Sequence, residues 1–270
     1  MTVTLTHREF PAPRTDTQIW RYSSFTKLLS LATSGKLFMP SVPTLRKDDP
    51  FEGIVSPATV QFGQYLRGND EMSAKIFGAH IPVEHRRTMA DNYGADLGFA
   101  SLWFLSCWHQ NQHESAALWK LYSGISEGVA VRSTVQRLAD SMDKNFEFTL
   151  GPVTYRDYSV DLFAPYQALT PVFTKRHSFA HERELRLLYW GAYEVSRPEE
   201  ERQEWAKGRR YDKLYHLPAG LSFNCNVDRL VEEVVVSPYA DDWVVETIAA
   251  TLRQVGCAAP VRKSNLLKVE

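Results

Sequence analysis

The chain has few of the features that assign a function at a glance. Its 270 residues include only three cysteines, Cys107, Cys225 and Cys257. They lie far apart and form no C-x-x-C pair, which argues against a disulfide framework or a cysteine zinc site. Charge of one sign is also missing: 31 basic and 32 acidic residues leave a net charge of −1, so no global field draws the chain to nucleic acid or anionic lipid. No apolar run approaches the length that spans a bilayer. The opening stretch MTVTLTHREFPAPRTDTQ has no apolar core of the kind a signal peptide carries. Together these set the expectation of a cytoplasmic protein with no membrane partner. The phosphate cradles G-x-x-x-x-G-K-[ST] and G-x-G-x-x-G do not occur, nor does the nucleophile elbow G-x-S-x-G.

What is present is an ordinary globular composition, 44% hydrophobic, in a chain long enough for a substantial core. Residues 1–17 read as a polar arm, and 18–270 as a single α+β domain with strands scattered along it. IWRYSS reads as a strand ending in hydroxyls that can cap a helix. Phe25, Leu28, Leu29 and Ala32 then recur at helical spacing, and Gly35 stands where a left-handed cap is expected. Residues 56–98 are mostly helical in pattern, interrupted at Gly68, Gly78 and Pro82. FASLWFLSCW is apolar almost throughout, as a strand buried on both faces would be. HESAALWKLYSG reads as a helix, GVAVRS as a strand, and the tail as strand–helix–strand. The charged run 194–213 reads as an exposed insertion.

Three groups of residues carry chemistry. HQNQH sets His109 and His113 four apart, where a helix would offer both to a metal. With no third ligand, a solvated turn without zinc is the expectation. The loop DDPFEG clusters Asp48, Asp49 and Glu52, as an acidic turn or as ligands for a hard cation. Most unusual is SFAHERELRLLYW. As a strand over 179–190 it puts Glu182, Glu184, Arg186 and Leu188 on one face. Like charges side by side on a sheet cost stability, so a cation relieves the pair or the pair is used. Used, it can hold a ribose hydroxyl and steady positive charge at an anomeric carbon. On that reading Glu184→Gln leaves stability unchanged or raises it.

Two resemblances follow from these residues. IWRYSSFTKLLSLATSGKLFMPSVPTLRKDDPFEG, FLSCWHQNQHESAALWKLYSGISEGVAVRS, VTYRDY and FTKRHSFAHERELRLL resemble, in order, successive blocks of the bacterial family called domain of unknown function 2971. That name supplies no activity. A second, looser resemblance is to ADP-ribosyltransferases, through Arg21 in the opening WRY strand, Ser106 in the middle strand and the late E-x-E of Glu182 and Glu184. The middle strand departs from that family's usual Ser-Thr-Ser.

This second resemblance implies an ADP-ribosyltransferase-like fold of two packed sheets with surrounding helices, and NAD as substrate without a metal. It implies transfer of ADP-ribose to a macromolecule, protein or nucleic acid, in a toxin or phage-defence setting. Glu184 would act on the ribose and Glu182 would orient the acceptor. Arg21 and Tyr22 would hold NAD with Ser106, and Tyr122 or Trp119 would stack on nicotinamide. Two alternatives stay open: a metal-dependent nuclease using Asp48, Asp49, Glu182, Glu184 and Lys175, and a binding module without catalysis.

Overall fold

Apolar alternation in the middle of the chain produces a sheet that is covered on both faces. Leu185, Leu187 and Tyr189 pack into the main cluster with Val129, Val131 and Leu150. Leu188, between them in sequence, joins Trp103, Leu105 and Val172 on the other side. A strand with apolar residues at both parities is stable only between two packed layers. The computed structural model describes residues 3–93, 102–122, 126–163, 167, 169–191 and 218–268.

The elements begin with β1 (Val3–Thr4), β2 (Gln18–Ser24), α1 (Phe25–Ser34), β3 (Lys36–Pro40) and α2 (Val42–Leu45). Three helices follow, α3 (Pro57–Gly68), α4 (Asp70–Phe77) and α5 (Val83–Tyr93). The centre holds β4 (Trp103–Gln110), α6 (Ala116–Tyr122), β5 (Gly128–Thr134), α7 (Val135–Ser141), β6 (Phe148–Pro152) and β7 (Thr154–Arg156). Next come β8 (Thr174–Arg176), a 3₁₀ turn over His177–Glu182 and β9 (Glu184–Trp190). The chain closes with β10 (Gly220–Asn224), α8 (Val227–Leu230), β11 (Glu233–Val236), α9 (Asp242–Gln254) and β12 (Val261–Lys263).

Eight strands form one mixed sheet in the order β1-β6-β9-β4-β2-β5-β11-β12, and β10–β3 and β7–β8 form two small ribbons. The fold is α+β, with helices around a mixed sheet. Among the described residues there is one large sheet and two ribbons in place of two comparable packed sheets. At α1 Ser24 precedes the helix without a side-chain cap bond, its hydroxyl pairing with Thr26 instead, while Gly35 ends the helix as expected at φ 62°, its N–H bonding the Leu31 carbonyl at 3.0 Å. Gly has no Cβ to clash in that left-handed turn.

The first seventeen residues correct the expectation of a polar arm. β1 pairs parallel with β6, and Val3 and Phe10 are buried. Phe10 lies on Gly151, where a Cβ would fall 2.2 Å from its ring. Gly151→Ala should therefore displace Phe10 and lower stability by ~1–3 kcal/mol, as overpacking does, measured as a shift in urea midpoint. The charged run 194–213 lies outside the described residues.

Candidate functional site

A cleft of about 290 Å³ opens beside the middle of the large sheet, and its origin is a split between two strands. β2 pairs with β4 through Ile19 and Trp20 alone, opposite Gln110 and His109. Beyond them β4 is bridged instead at Phe104 by Ser41, which follows β3. The separated strands line the cleft with Arg21, Tyr22 and Ser23 on one side and Leu105, Cys107, Trp108 and His109 on the other. Lys175, Phe179, Glu182 and Glu184 close one end, and Asp48, Asp49 and Glu52 contribute from the loop after α2.

The pair in HERELR is not laid out on one strand. Residues 177–182 form the 3₁₀ turn, and Arg183, at φ 42°, swings the chain before β9 begins at Glu184. This corrects the strand expected from residue 179. Both carboxylates are nonetheless buried, and Lys175 relieves their repulsion, reaching Glu182 Oε2 at 2.5 Å and Glu184 Oε2 at 3.5 Å. Arg186, on the same face of β9 as Glu184, bonds it through Nε at 2.9 Å and Nη2 at 3.0 Å. The same guanidinium holds Glu52 at 2.6 and 2.9 Å and is 0% exposed. Three carboxylates thus share two cations. Burial alone would push the Glu184 carboxyl up, yet Arg186 and Lys175 hold it at about 2. Burial likewise opposes the charge on Lys175, but Glu184 and Glu182 outweigh it and raise its pKa. Because Glu184 is depressed in the folded state, its stabilisation is full above about 4.5 and is lost as pH falls toward 2. Thermal melts across that window should show the loss.

The two acids differ in their outward neighbours. Glu182 accepts the Tyr122 hydroxyl, whose side chain stands 51% exposed on α6. Glu184 is gripped from beneath by the fully enclosed Arg186. Glu182 is therefore the carboxylate in contact with an exposed side chain of the cleft wall, although the two acids are about equally buried. Across the split, Arg21 has no carboxylate partner among the described residues. It donates to the Phe38 carbonyl at 3.4 Å, and its guanidinium carbon stands 5.8 Å from the Trp108 ring centroid. Arg21 is half-buried, and the protein packed around it lowers its pKa because burial disfavours the charged form.

Of the residues singled out from sequence, Arg21, Tyr22, Tyr122, Glu182 and Glu184 line the cleft. Ser106 and Trp119 do not. Ser106 is buried and accepts the Trp108 indole N–H at 3.0 Å, and the buried Trp119 donates its own to Glu114 at 3.2 Å. Strand parity turns Ser106 away from Leu105 and Cys107, and Trp119 packs inward from α6 as core. HQNQH is not helical: His109 is the penultimate residue of β4 and lines the cleft, and His113 is exposed in the following turn. Sequence reasoning missed His109 as a site residue, although parity in FLSCWH already places it with Leu105 and Cys107. As for the nuclease alternative, Arg176 holds Asp49 at 2.7 Å, and the three glutamates are held as above. Asp49, Glu52, Glu182 and Glu184 are thus each paired with a side-chain cation.

Fold and site thus define an α+β protein with an ion-paired cleft set in a split sheet. No family model matches the chain, and no curated protein matches it either. Among solved structures it is similar to Thermus sp. 2.9 DarT in complex with carba-NAD+, at 14% identity over 92% of this chain and 96% of that one. The TM-score is 0.35, and a likeness so slight carries no argument about activity.

Proposed function

We propose that this protein cleaves NAD and transfers ADP-ribose to a macromolecular acceptor. The observation that supports this best is the Arg21 guanidinium, without a carboxylate partner among the described residues, lining the same cleft as Glu182 and Glu184. A cation without a counter-ion at one side and carboxylates at the other fit a ligand that is anionic at one end and develops positive charge at the other. NAD has that polarity, with its pyrophosphate for Arg21 and the exposed Lys27, and its nicotinamide-bearing ribose for the acids. Charge-assisted bonds to phosphate hold the ligand.

Breaking the nicotinamide–ribose bond leaves an oxocarbenium-like sugar. A fixed carboxylate on a ribose hydroxyl stabilises that charge more in the transition state than in the ground state. Glu182, which the exposed Tyr122 contacts and which Arg186 does not bind, takes this role in place of Glu184, and Glu184 holds Lys175 and Arg186 in position. Tyr122, by donating to Glu182, fixes its orientation at the rim.

The direct test is incubation with labelled NAD and cell lysate, scoring nicotinamide release and labelled macromolecules. No release and no label above a heat-killed control would reject the reading. Arg21→Gln should weaken binding of a non-hydrolysable NAD analogue about ten- to a hundredfold, the worth of one charged hydrogen bond. The loss should shrink at high salt. Titration calorimetry decides it, and an unchanged Kd would remove Arg21 from the phosphate site.

A further inference from the structure

We propose that His109 is the base that takes the proton of the incoming nucleophile, an inference that rests on the transfer reaction proposed above. Its imidazole is only 5% exposed and lines the cleft. Nδ1 donates to the main-chain carbonyl of Glu182, which fixes the proton on that nitrogen. Nε2 then carries a bare lone pair. It is buried and has no hydrogen-bond partner among the described residues. A buried acceptor left unpaired is costly, so the site is built to receive a donor from elsewhere, and the ligand is the remaining source.

Charged groups of both signs surround the ring. Glu182 and His181 lie in the 3₁₀ turn beside it, Arg183 follows that turn, and Glu184 lies across from it on β9. Tyr22 meets it edge-on from β2 with ring centroids 6.3 Å apart. Burial is the main force, with Arg183 and His181 adding to it against the Glu182 contact, and the pKa falls below the ordinary histidine value. The imidazole is therefore free to accept a proton at neutral pH. The anchoring carbonyl belongs to Glu182 itself, so the base is fixed to the residue that steadies the sugar.

Atoms and electrons balance in the transfer. A lone pair on the acceptor X–H forms the bond to the anomeric carbon as the carbon–nicotinamide bond breaks. The breaking pair goes to the ring nitrogen, which loses its positive charge and leaves as neutral nicotinamide. The proton passes from X to Nε2 of His109 and then to solvent. With water as X–H the same step is NAD hydrolysis.

Two variants test it. In His109→Asn the amide nitrogen still donates to the Glu182 carbonyl, but no base stands at Nε2. His109→Ala leaves a space that added imidazole can enter. His109→Asn should release nicotinamide about a hundredfold more slowly or worse, with analogue binding and melting temperature unchanged. The wild-type rate should fall as pH drops through a value below about 6.5, and this limb should vanish in both variants. Imidazole should restore part of the rate to His109→Ala. A His109→Asn protein with full turnover and an intact acid limb would overturn the proposal while leaving the transferase reading in place. So would failure of imidazole rescue combined with lost analogue binding in both variants. A wild type that neither binds the analogue nor releases nicotinamide would end both.

Discussion

Glu182→Gln should lower NAD turnover by about a hundredfold or more while moving the melting temperature by no more than a few degrees. The substitution keeps the shape and the acceptor for the Tyr122 hydroxyl and removes only the negative charge. Preorganised electrostatic contacts of this kind are worth about 3–4 kcal/mol in the transition state. Stability changes little because Lys175, which loses Glu182 as a charged partner, keeps Glu184 at 3.5 Å. Paired measurements of nicotinamide release and thermal melting check it. Full turnover in Glu182→Gln, with loss in Glu184→Gln at a temperature where that variant is still folded, would return the ribose role to Glu184.

The second large effect belongs to Arg186. Arg186→Met keeps apolar bulk in the enclosed site and strands Glu52 and Glu184 without their shared cation. Breaking a buried pair by removing one partner costs ~3–5 kcal/mol, or roughly 10 °C in melting temperature for a chain of this size. Adding Glu52→Gln and Glu184→Gln to Arg186→Met should recover part of the loss, because groups in one network do not add independently. The single Glu184→Gln change should destabilise more than Glu182→Gln, since it takes a charged partner from both Arg186 and Lys175. This reverses the expectation, drawn from like-charge repulsion alone, that removing the charge would be neutral or favourable. A melting temperature for Arg186→Met within about two degrees of wild type would show the network to be solvated in solution, since only exposed pairs are worth so little.

Much of the secondary structure was legible because its causes are local. The α1 spacing, the Gly35 cap, the helices broken near Gly68 and Gly78 and the closing strand–helix–strand all follow from residues within a turn or two of one another. Parity along HERELR correctly put Arg186 beside Glu184. Parity could not show that Arg183 takes a left-handed conformation and takes Glu182 off the strand. Nor could it show the lysine seven residues before Glu182 that returns to lie between the two acids.

The sequence by itself determined an α+β chain with a strand buried on both faces and an E-x-E-x-R segment whose charges needed relief. Tertiary structure alone decided which groups provide it. Arg186 reaches Glu52 across 134 positions of sequence, and the split between β2 and β4 brings Arg21 to the cleft that holds Glu182. These choices rest on long-range strand pairing: Phe104 is bridged by Ser41, so β4 cannot pair along β2, and the gap left between them is the site.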